Sequence, residues 1–247
     1  MTYKSYIQNH LPIIYRTLRS IKHAFLRLLG LHPDTLYISY PEYNCLFVAV
    51  PKNANSTVNF SFLKKLGVYR QDMPPEVLRK LLSARAVSAR EARRRADNAF
   101  VFGFARNPLM RLISCYHDKV ERGHHPMHDI YFGALYPGMP FEQFVRRVCF
   151  IPDALADPHF RSQTNMLFGK GFAPDFLGCV EQFDRDFEPL RERFGLAPME
   201  PVNKTWHTRD LATYYTPELA RLVYWRYARD FVELGYEAEY QALIKNG

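Results

Sequence analysis

The first feature of chemical interest is a basic turn that follows an apolar run near residue 50. The apolar residues 45–50 predict a buried strand, and a helical pattern covers residues 58–66. Between them stand Lys52, Ser56 and Thr57, whose ammonium and hydroxyl groups suit an anion. A helix N-terminus also presents unpaired backbone N–H groups that carry partial positive charge. The turn therefore predicts a site for a phosphate or a sulfate.

This first turn, residues 51–57, lacks the glycines of a Walker phosphate-binding loop. Asn53 and Asn55 are present instead, and asparagine tolerates the left-handed backbone conformation that glycine otherwise supplies in a tight turn. The alternative interpretation is a plain connection between a strand and a helix, with its lysine in solvent.

A second turn of the same kind, residues 106–108, follows the apolar run at residues 99–105. Arg106 ends the predicted strand, Asn107 is placed to cap a helix, and Pro108 suits the first helical position. Helical spacing then puts three polar residues on the face of Asn107: Arg111, Ser114 and Asp118. Arginine offers a planar fork for phosphate oxygens, so two such turns predict a ligand with anionic groups at two places. The alternative interpretation is a capped helix with a surface Arg–Asp pair.

Strands and helices alternate along the rest of the chain. Two further strands are predicted at residues 36–40 and 176–180. Further helices are predicted at residues 74–95, 141–150, 187–194 and 216–234. This alternation predicts an α/β fold with a central, mainly parallel sheet flanked by helices, in which ligands bind beyond the carboxyl ends of the strands. We expect a single domain at residues 36–247, preceded by a helical extension at residues 1–35.

The composition indicates which kinds of partner suit the protein and in which cellular compartment it works. A net charge of +8 suits an anionic ligand, a glycan, a nucleic acid or a membrane surface, and does not choose among them. The four cysteines show no C-x-x-C spacing and indicate reduced thiols in a cytoplasmic protein. Basic residues interrupt the apolar positions of residues 11–31, which therefore predict neither a signal peptide nor a membrane span. We favour a helix there that packs on its own domain, and the alternative is peripheral contact with an anionic membrane.

Taken in order, these motifs resemble those of sulfotransferases that use 3′-phosphoadenylyl sulfate (PAPS). Pro51-Lys52-x-x-x-Ser56-Thr57 resembles the 5′-phosphosulfate loop of that family. Arg106-Asn107-Pro108-x-x-Arg111-x-x-Ser114-x-Tyr116 resembles its 3′-phosphate motif. Five later segments are similar to the carbohydrate sulfotransferase branch: Phe141-x-x-Phe144-Val145, Asp157-x-His159-Phe160-x-x-Gln163, Phe176-Leu177-Gly178-x-Val180-Glu181, Val202-Asn203-Lys204-Thr205 and Asp230-Phe231-x-x-Leu234-Gly235-Tyr236.

The resemblance implies a P-loop-like sulfotransferase fold and a donor site that needs no metal. Lys52 would stabilise the oxygen that leaves the sulfur, and the product would be adenosine 3′,5′-bisphosphate (PAP). The implied donor-binding residues are Lys52, Asn53, Ala54, Asn55, Ser56, Thr57, Arg106, Ser114, Asn203, Lys204 and Thr205.

A sulfotransferase also needs a base for the acceptor hydroxyl. Histidine suits this task near neutral pH, and His159 is the first candidate because it lies in the Asp157-x-His159-Phe160 run. The alternative is a core histidine fixed by Asp157. A second group of candidates is His124, His125 and His128, which we expect in a solvent loop or at the acceptor rim.

The sequence therefore predicts an enzyme that moves the sulfuryl group of PAPS to a hydroxyl of a glycan or a glycolipid, with no nucleic-acid partner. Two alternatives remain at this stage. One is an ATP-dependent small-molecule kinase, which requires a glycine-rich loop and a metal-binding carboxylate after a strand. The other is a basic, non-enzymatic module that binds nucleic acid or membrane, in which the two anion turns would share no purpose.

Overall fold

A computed structural model of the chain describes residues 12–28, 37–70, 72–122, 131–169, 171–198 and 211–245. Its four described strands form one sheet in the order β1 (Tyr37–Tyr40), β2 (Cys45–Val48), β3 (Phe100–Ala105) and β4 (Phe176–Cys179). The pairs β2–β3 and β3–β4 are parallel, whereas β1 and β2 are antiparallel. The expected parallel arrangement therefore holds for β2, β3 and β4, and β1 makes the sheet mixed because only the short turn Pro41–Tyr43 and Asn44 separate it from β2.

The described helices follow the strands in the expected alternation. They are α1 (Pro12–Leu28), α2 (Asn55–Lys65), α3 (Pro75–Arg85), α4 (Ala89–Ala96), α5 (Pro108–Tyr116), α6 (Phe141–Phe150), α7 (Gln163–Leu167), α8 (Phe183–Phe194), α9 (Pro217–Arg226), α10 (Ala228–Glu233) and α11 (Glu237–Lys245). In the part of the chain that the structure describes, no helix has both the length and the apolar character required to cross a bilayer.

Two predicted helices are each divided in the structure. The basic stretch at residues 74–95 forms α3 and α4, because Ser88 starts a new helix by accepting a hydrogen bond from Glu91 N–H. The predicted helix at residues 216–234 begins as expected, with Thr216 as its cap and Pro217 in its first position. It is interrupted at Tyr227, which lies outside the helical region, and a second helix continues to Glu233.

The sheet is covered on both faces because its side chains alternate. Phe47 and Phe102 lie on one face, with ring centroids 5.1 Å apart, and pack with helices α2 and α8. Leu46 and Val101 lie on the other face and pack with α4 and α7. This burial fixes the directions of β2 and β3, and therefore the places where their carboxyl ends release the two anion turns.

A buried carboxylate near the end of the chain holds the start of α7. Asp230, fully buried on α10, accepts hydrogen bonds from the backbone N–H groups of Gln163 and Thr164 at 2.8 and 2.9 Å. It also accepts hydrogen bonds from the hydroxyl groups of Ser162 and Thr164 at 2.6 and 2.9 Å. A charged carboxylate that accepts several hydrogen bonds at a helix N-terminus is a strong local constraint. Asp230 therefore fixes the position of Gln163.

We expect Asp230→Ala to lower the free energy of unfolding by about 3 kcal/mol or more, because it leaves several buried donors without an acceptor. Chemical denaturation followed by circular dichroism measures this change. The matched control is Glu233→Ala on the same helix, whose exposed pair with Arg229 we expect to contribute little to stability. Equal stability of the two variants would show that Asp230 does not anchor α7.

Candidate functional site

The two anion turns open into one cavity of about 550 Å³ at the carboxyl ends of β2 and β3. Lys52 and residues 54–57 line it from the first turn, and Arg106 and Ser114 line it from the second turn and the helix that follows. Of the predicted donor-binding residues that the structure describes, all except Asn53 contribute to this lining. Two turns that are distant in the sequence thus face a single space.

The backbone of the first turn is held in an unusual conformation. Lys52 has φ 72° and Ala54 has φ 57°, both in the left-handed region. Non-glycine residues adopt this region at a cost of about 1–2 kcal/mol each. The expectation that Asn53 and Asn55 would supply the left-handed positions is therefore wrong. Residues 55–57, the first of α2, line the cavity, where an anion can accept hydrogen bonds from their backbone N–H groups.

The two asparagines have another task, which is to hold the turn against the sheet. Asn53 Nδ2 donates to the carbonyl oxygen of Phe104 at 2.6 Å, on the neighbouring strand β3. Asn55 Nδ2 donates to the carbonyl oxygen of Ala49 at 3.0 Å. Each asparagine side chain gives a carbonyl oxygen near the end of a strand a hydrogen-bond donor in place of a backbone N–H group. These hydrogen bonds hold the turn to the sheet, in addition to the turn's own dihedral angles.

One buried amide connects the two turns. The Oε1 atom of Gln163 accepts from Asn53 Nδ2 at 2.7 Å and from the backbone N–H of Arg106 at 2.9 Å. Its Nε2 atom donates to the carbonyl oxygen of Arg106 at 2.7 Å. The Gln163 side chain therefore binds the first turn through Asn53 and the second through the Arg106 backbone. The guanidinium of Arg106 adds a further link, since its Nη1 donates to the carbonyl oxygen of Lys52 at 3.0 Å.

Lys52 forms an ion pair inside the cavity. Its Nζ lies 2.9 Å from Oδ2 of Asp118, and the same oxygen lies 3.0 Å from Nζ of Lys119. Asp118 and Lys119 belong to a single π-helical turn, His117–Glu121, that continues α5. Burial lowers the pKa of the Lys52 ammonium, and the Asp118 carboxylate opposes this shift. The arrangement holds a cation, with its counter-ion, at the end of the cavity next to the strained turn.

Arg106 is a second buried cation at the cavity wall. Burial lowers the pKa of its guanidinium to about 10, and the Glu181 carboxylate opposes this shift. The guanidinium therefore stays protonated at neutral pH. The residue that follows it, Asn107, caps α5 as predicted by accepting from the backbone N–H of Leu109 at 2.9 Å. Asn107 also donates its own backbone N–H to Glu181 Oε1 at 2.9 Å, which ties the second turn to the segment after β4.

Arg111 does not take part in the cavity lining, although helical spacing placed it on the face of Asn107. Its guanidinium is buried and donates to three backbone carbonyl oxygens, those of Pro51, Pro158 and Arg161, at 3.2, 2.6 and 2.7 Å. The side chain thus joins the first turn to the segment that contains the candidate base. Nor does Asp118 pair with it, because the carboxylate contacts Lys52 and Lys119 instead.

His159 lies close to the cavity but does not line it. Its Nδ1 is 2.6 Å from Oδ1 of Asp157, and its side chain is 24% exposed. Burial lowers the pKa of the imidazole, Asp157 raises it, and the positive charges of Lys119 and Lys52 lower it further. The carboxylate thus orients the ring through one nitrogen, while the surroundings favour the neutral form that can accept a proton.

Two tyrosines lie outside the cavity lining, and several residues of the sequence lie outside the described part. Tyr215 is a core residue whose hydroxyl donates to the carbonyl oxygen of Leu109 at 2.9 Å. Tyr214 contacts His117, with its hydroxyl 3.0 Å from Nε2. The residues that fall outside the described ranges are His124, His125, His128, Asn203, Lys204, Thr205 and Trp206. Among the residues that are described, no group of three His, Cys, Asp or Glu side chains could hold a metal ion.

Two functional contacts were not predicted from the sequence. Gln163 stands in the Asp157-to-Gln163 run, but nothing local shows that its amide spans both turns. The pairing of Lys52 with Asp118 was also missed, because the two residues come together only through the tertiary fold. The shared position of Asn107 and Asp118 on one helix face was the only local signal that Asp118 faces the cavity.

Comparison with known proteins identifies a family whose model matches most of this chain. The model of the sulfotransferase family matches residues 36–237 of the chain. A search of curated proteins and a search of solved structures each found no match. The matched range includes both anion turns, Gln163, His159 and Asp230.

We expect Gln163→Met to weaken binding of a ligand that has two phosphate groups by about tenfold or more. The variant keeps the volume of the side chain but removes the hydrogen bonds that hold the turns together, and buried donors lose their acceptor. Isothermal titration calorimetry with PAP measures the change. The control is Gln182→Met, an exposed glutamine outside the cavity lining. Unchanged PAP affinity in a folded Gln163→Met variant would contradict the role of this amide.

Proposed function

This chain belongs to the sulfotransferase family, and we propose that it transfers the sulfuryl group of PAPS to a hydroxyl of a carbohydrate acceptor. The family model supports sulfuryl transfer in general. The observation that carries the finer assignment is the pair of anion turns that Gln163 holds in one cavity, each with its own cation, the half-buried Lys52 and the buried Arg106. PAPS has an anionic group at each end of its nucleoside, as this arrangement requires.

The first turn fits the 5′-phosphosulfate end of the donor. The left-handed positions at Lys52 and Ala54 direct the N-terminus of α2 toward the cavity, and the hydroxyl-bearing residues Ser56 and Thr57 line it. Backbone N–H groups and hydroxyls at a helix N-terminus bind phosphate and sulfate oxygens well. The second turn fits the 3′-phosphate, through the guanidinium of Arg106 and the hydroxyl of Ser114. We expect Asn203, Lys204 and Thr205 to complete the donor site.

We assign Lys52 to stabilise the negative charge that develops on the leaving phosphate during transfer. During transfer the bond between the sulfur and the bridging phosphate oxygen breaks, a bond forms from the acceptor oxygen to the same sulfur, and negative charge grows on the leaving phosphate. An ammonium next to that oxygen stabilises the transition state more than the ground state. The donor would replace Asp118 as the nearest anion of Lys52, and Lys119 would retain the released carboxylate.

We assign His159 as the base that accepts the proton of the acceptor hydroxyl. Asp157 contacts Nδ1 and orients the ring, and we assign Nε2 as the atom that accepts the proton as the acceptor oxygen attacks sulfur. The lowered pKa keeps the ring neutral at physiological pH. Arg111 supports this arrangement by binding the carbonyl oxygen of Pro158, beside the candidate base, and that of Pro51 in the first turn.

The assignment of a carbohydrate acceptor, as a free glycan or a glycolipid, rests on the resemblance of the later motifs to the carbohydrate branch. Three of these motifs have structural tasks around the cavity. Asp230 anchors α7, Gln163 joins the turns, and Glu181 accepts hydrogen bonds from the Asn107 backbone at 2.9 Å and from Tyr236 at 3.0 Å. These contacts explain why the motifs accompany the donor site. The acceptor itself is a proposal.

The donor assignment predicts that PAP raises the melting temperature of the full chain more than ATP does at the same concentration. A ligand that binds only the native state stabilises it according to its affinity. ATP has no 3′-phosphate and would leave Arg106 and Ser114 without a ligand group. Differential scanning fluorimetry with PAP and ATP, each without added metal, measures both shifts. Absence of a shift at millimolar PAP, or a larger shift with ATP, would refute the donor assignment.

The two cations are expected to differ in their kinetic effects. Lys52→Ala should lower kcat by about 10²–10³-fold, because it removes stabilisation of the developing charge. Arg106→Lys should raise the Kd of PAP by about tenfold with a smaller effect on kcat, because the 3′-phosphate keeps its charge throughout the reaction. Steady-state kinetics with PAPS and calorimetry with PAP separate the two effects.

Lys119→Ala is the matched control for Lys52, since it removes the other ammonium next to Asp118 but not a residue that lines the cavity. We expect its kcat to stay within a few-fold of the wild type. The assignment of roles would be wrong if Lys52→Ala and Arg106→Lys both changed only KM.

If His159 is the base, the fall of kcat/KM on the acid side of the pH profile should lie at a lower pH than an ordinary histidine would give. In the wild type, kcat/KM should fall as the pH drops through the pKa of His159, which burial holds below its ordinary value, because the protonated ring cannot accept a proton. Since the Asp157 carboxylate raises this pKa, Asp157→Asn should move the acid limb to still lower pH. A purely structural Asp157 would change stability without moving the limb.

His159→Ala should lower kcat by about 10²–10⁴-fold with little change in PAP affinity. His124→Ala, in the segment with the other candidate histidines, is the comparison variant and should retain most of its turnover. Near-normal turnover of a folded His159→Ala variant would remove His159 from the mechanism.

A further inference from the structure

Helix α1 contacts the domain through its polar side. Ser20 is almost completely buried, and its hydroxyl accepts the backbone N–H of Phe132 at 2.9 Å. The helix also packs next to the short turn Asp153–Leu155. A surface helix of a globular domain normally turns its apolar side to the core. In α1 a small polar residue occupies the contact, so the apolar side must lie elsewhere.

Three apolar residues of α1 face away from the domain. Leu18, Ile21 and Phe25 are 57%, 54% and 59% exposed. Their spacing of three and four residues puts them on one face of the helix. Phe132, which touches α1 through its backbone, is 64% exposed and has a left-handed φ of 55°. Single exposed apolar residues are common, but three in line on a helix, with an exposed aromatic residue on the adjoining segment, form a surface that needs a partner.

The charges around this surface indicate the kind of partner. Residues 12–28 contain no acidic side chain, and the exposed Lys22 is one helical turn from Leu18, beside the apolar face. The chain as a whole carries a net charge of +8. A helix with an apolar face and basic flanks lies favourably at the boundary between lipid headgroups and acyl chains when the lipids are anionic. A second copy of the chain would instead bring two basic helices together.

We propose that the exposed face of α1 (Leu18, Ile21 and Phe25), together with Phe132, is a docking surface for an anionic lipid bilayer. The apolar side chains enter the headgroup boundary, while the exposed Lys22 contacts the lipid phosphates. The domain stays on the aqueous side, attached through Ser20. This inference goes beyond sulfuryl transfer and does not depend on it, since the surface does not include the residues that line the cavity.

Vesicle sedimentation with the full chain tests the proposal without any donor or acceptor. One vesicle preparation contains phosphatidylcholine alone, and the other contains two parts phosphatidylcholine to one part phosphatidylglycerol. We expect binding to the second preparation only, weakened by added salt because salt screens the headgroup attraction. Lys22→Gln should weaken binding by about fivefold, the effect of one basic residue near an anionic surface.

The apolar contribution is tested with a variant that carries Leu18→Ser, Ile21→Ser and Phe25→Ser together. We expect its partition onto anionic vesicles to fall by at least about tenfold, with an unchanged melting temperature, because these side chains are already exposed. The matched control carries Val68→Ser, Val77→Ser and Val232→Ser, three exposed apolar residues elsewhere, and should bind as the wild type does. The charge control, Lys80→Gln, removes an exposed cation from α3 and should also have no effect.

Three results would overturn the proposal. The first is absence of wild-type binding to anionic vesicles. The second is equal binding by the wild type and the triple serine variant. The third is a wild-type dimer in sedimentation velocity that the triple serine variant converts to a monomer, without any vesicle binding, which would assign the face to a second copy.

Discussion

The buried amide of Gln163 is the interaction on which the geometry of the site depends. A buried amide must satisfy its donors and acceptors, and that of Gln163 does so by joining the Asn53 side chain to the Arg106 backbone. The two anion turns are therefore held at a fixed separation before any ligand arrives. Gln163 is itself fixed by Asp230, whose carboxylate accepts the first N–H groups of α7. The carboxylate of Asp230 thus helps to fix the spacing between the turns at residues 51–57 and 106–108, which are far from it in the sequence.

The cost of this arrangement is local strain and buried charge. Lys52 and Ala54 adopt left-handed dihedral angles, and burial lowers the pKa of both Lys52 and Arg106. Each of these features destabilises the folded chain by itself. In the proposed function, they place fixed donors and cations where a sulfuryl donor would develop charge, so that little reorganisation would remain for the reaction step. The Lys52–Asp118 pair holds the ammonium in place, and in the proposed function the donor would replace this carboxylate.

The sequence predicted those parts of the site that local rules determine. An apolar run followed by a basic turn and a helix gave both anion turns, and the Asn107 cap with Pro108 was confirmed because capping depends on neighbouring residues. Contacts across the fold could not be predicted in this way. Asn53 and Gln163 are 110 positions apart, and the pairing of Lys52 with Asp118 requires the π-helical turn after α5. The prediction that Asn53 and Asn55 would be the left-handed residues was wrong, because the side chains of both asparagines instead donate hydrogen bonds to carbonyl oxygens in or next to the strands.

In the proposed donor site, one ligand with two anionic ends binds both turns at once. Calorimetric titration of the full chain with PAP, adenosine 5′-monophosphate and adenosine 3′-monophosphate tests it most directly. We expect PAP to bind at least about a hundredfold more tightly than either monophosphate, because each removed phosphate gives up charged hydrogen bonds in one turn. If either monophosphate bound as tightly as PAP, one of the turns would have no part in binding, and the proposed donor site would be wrong.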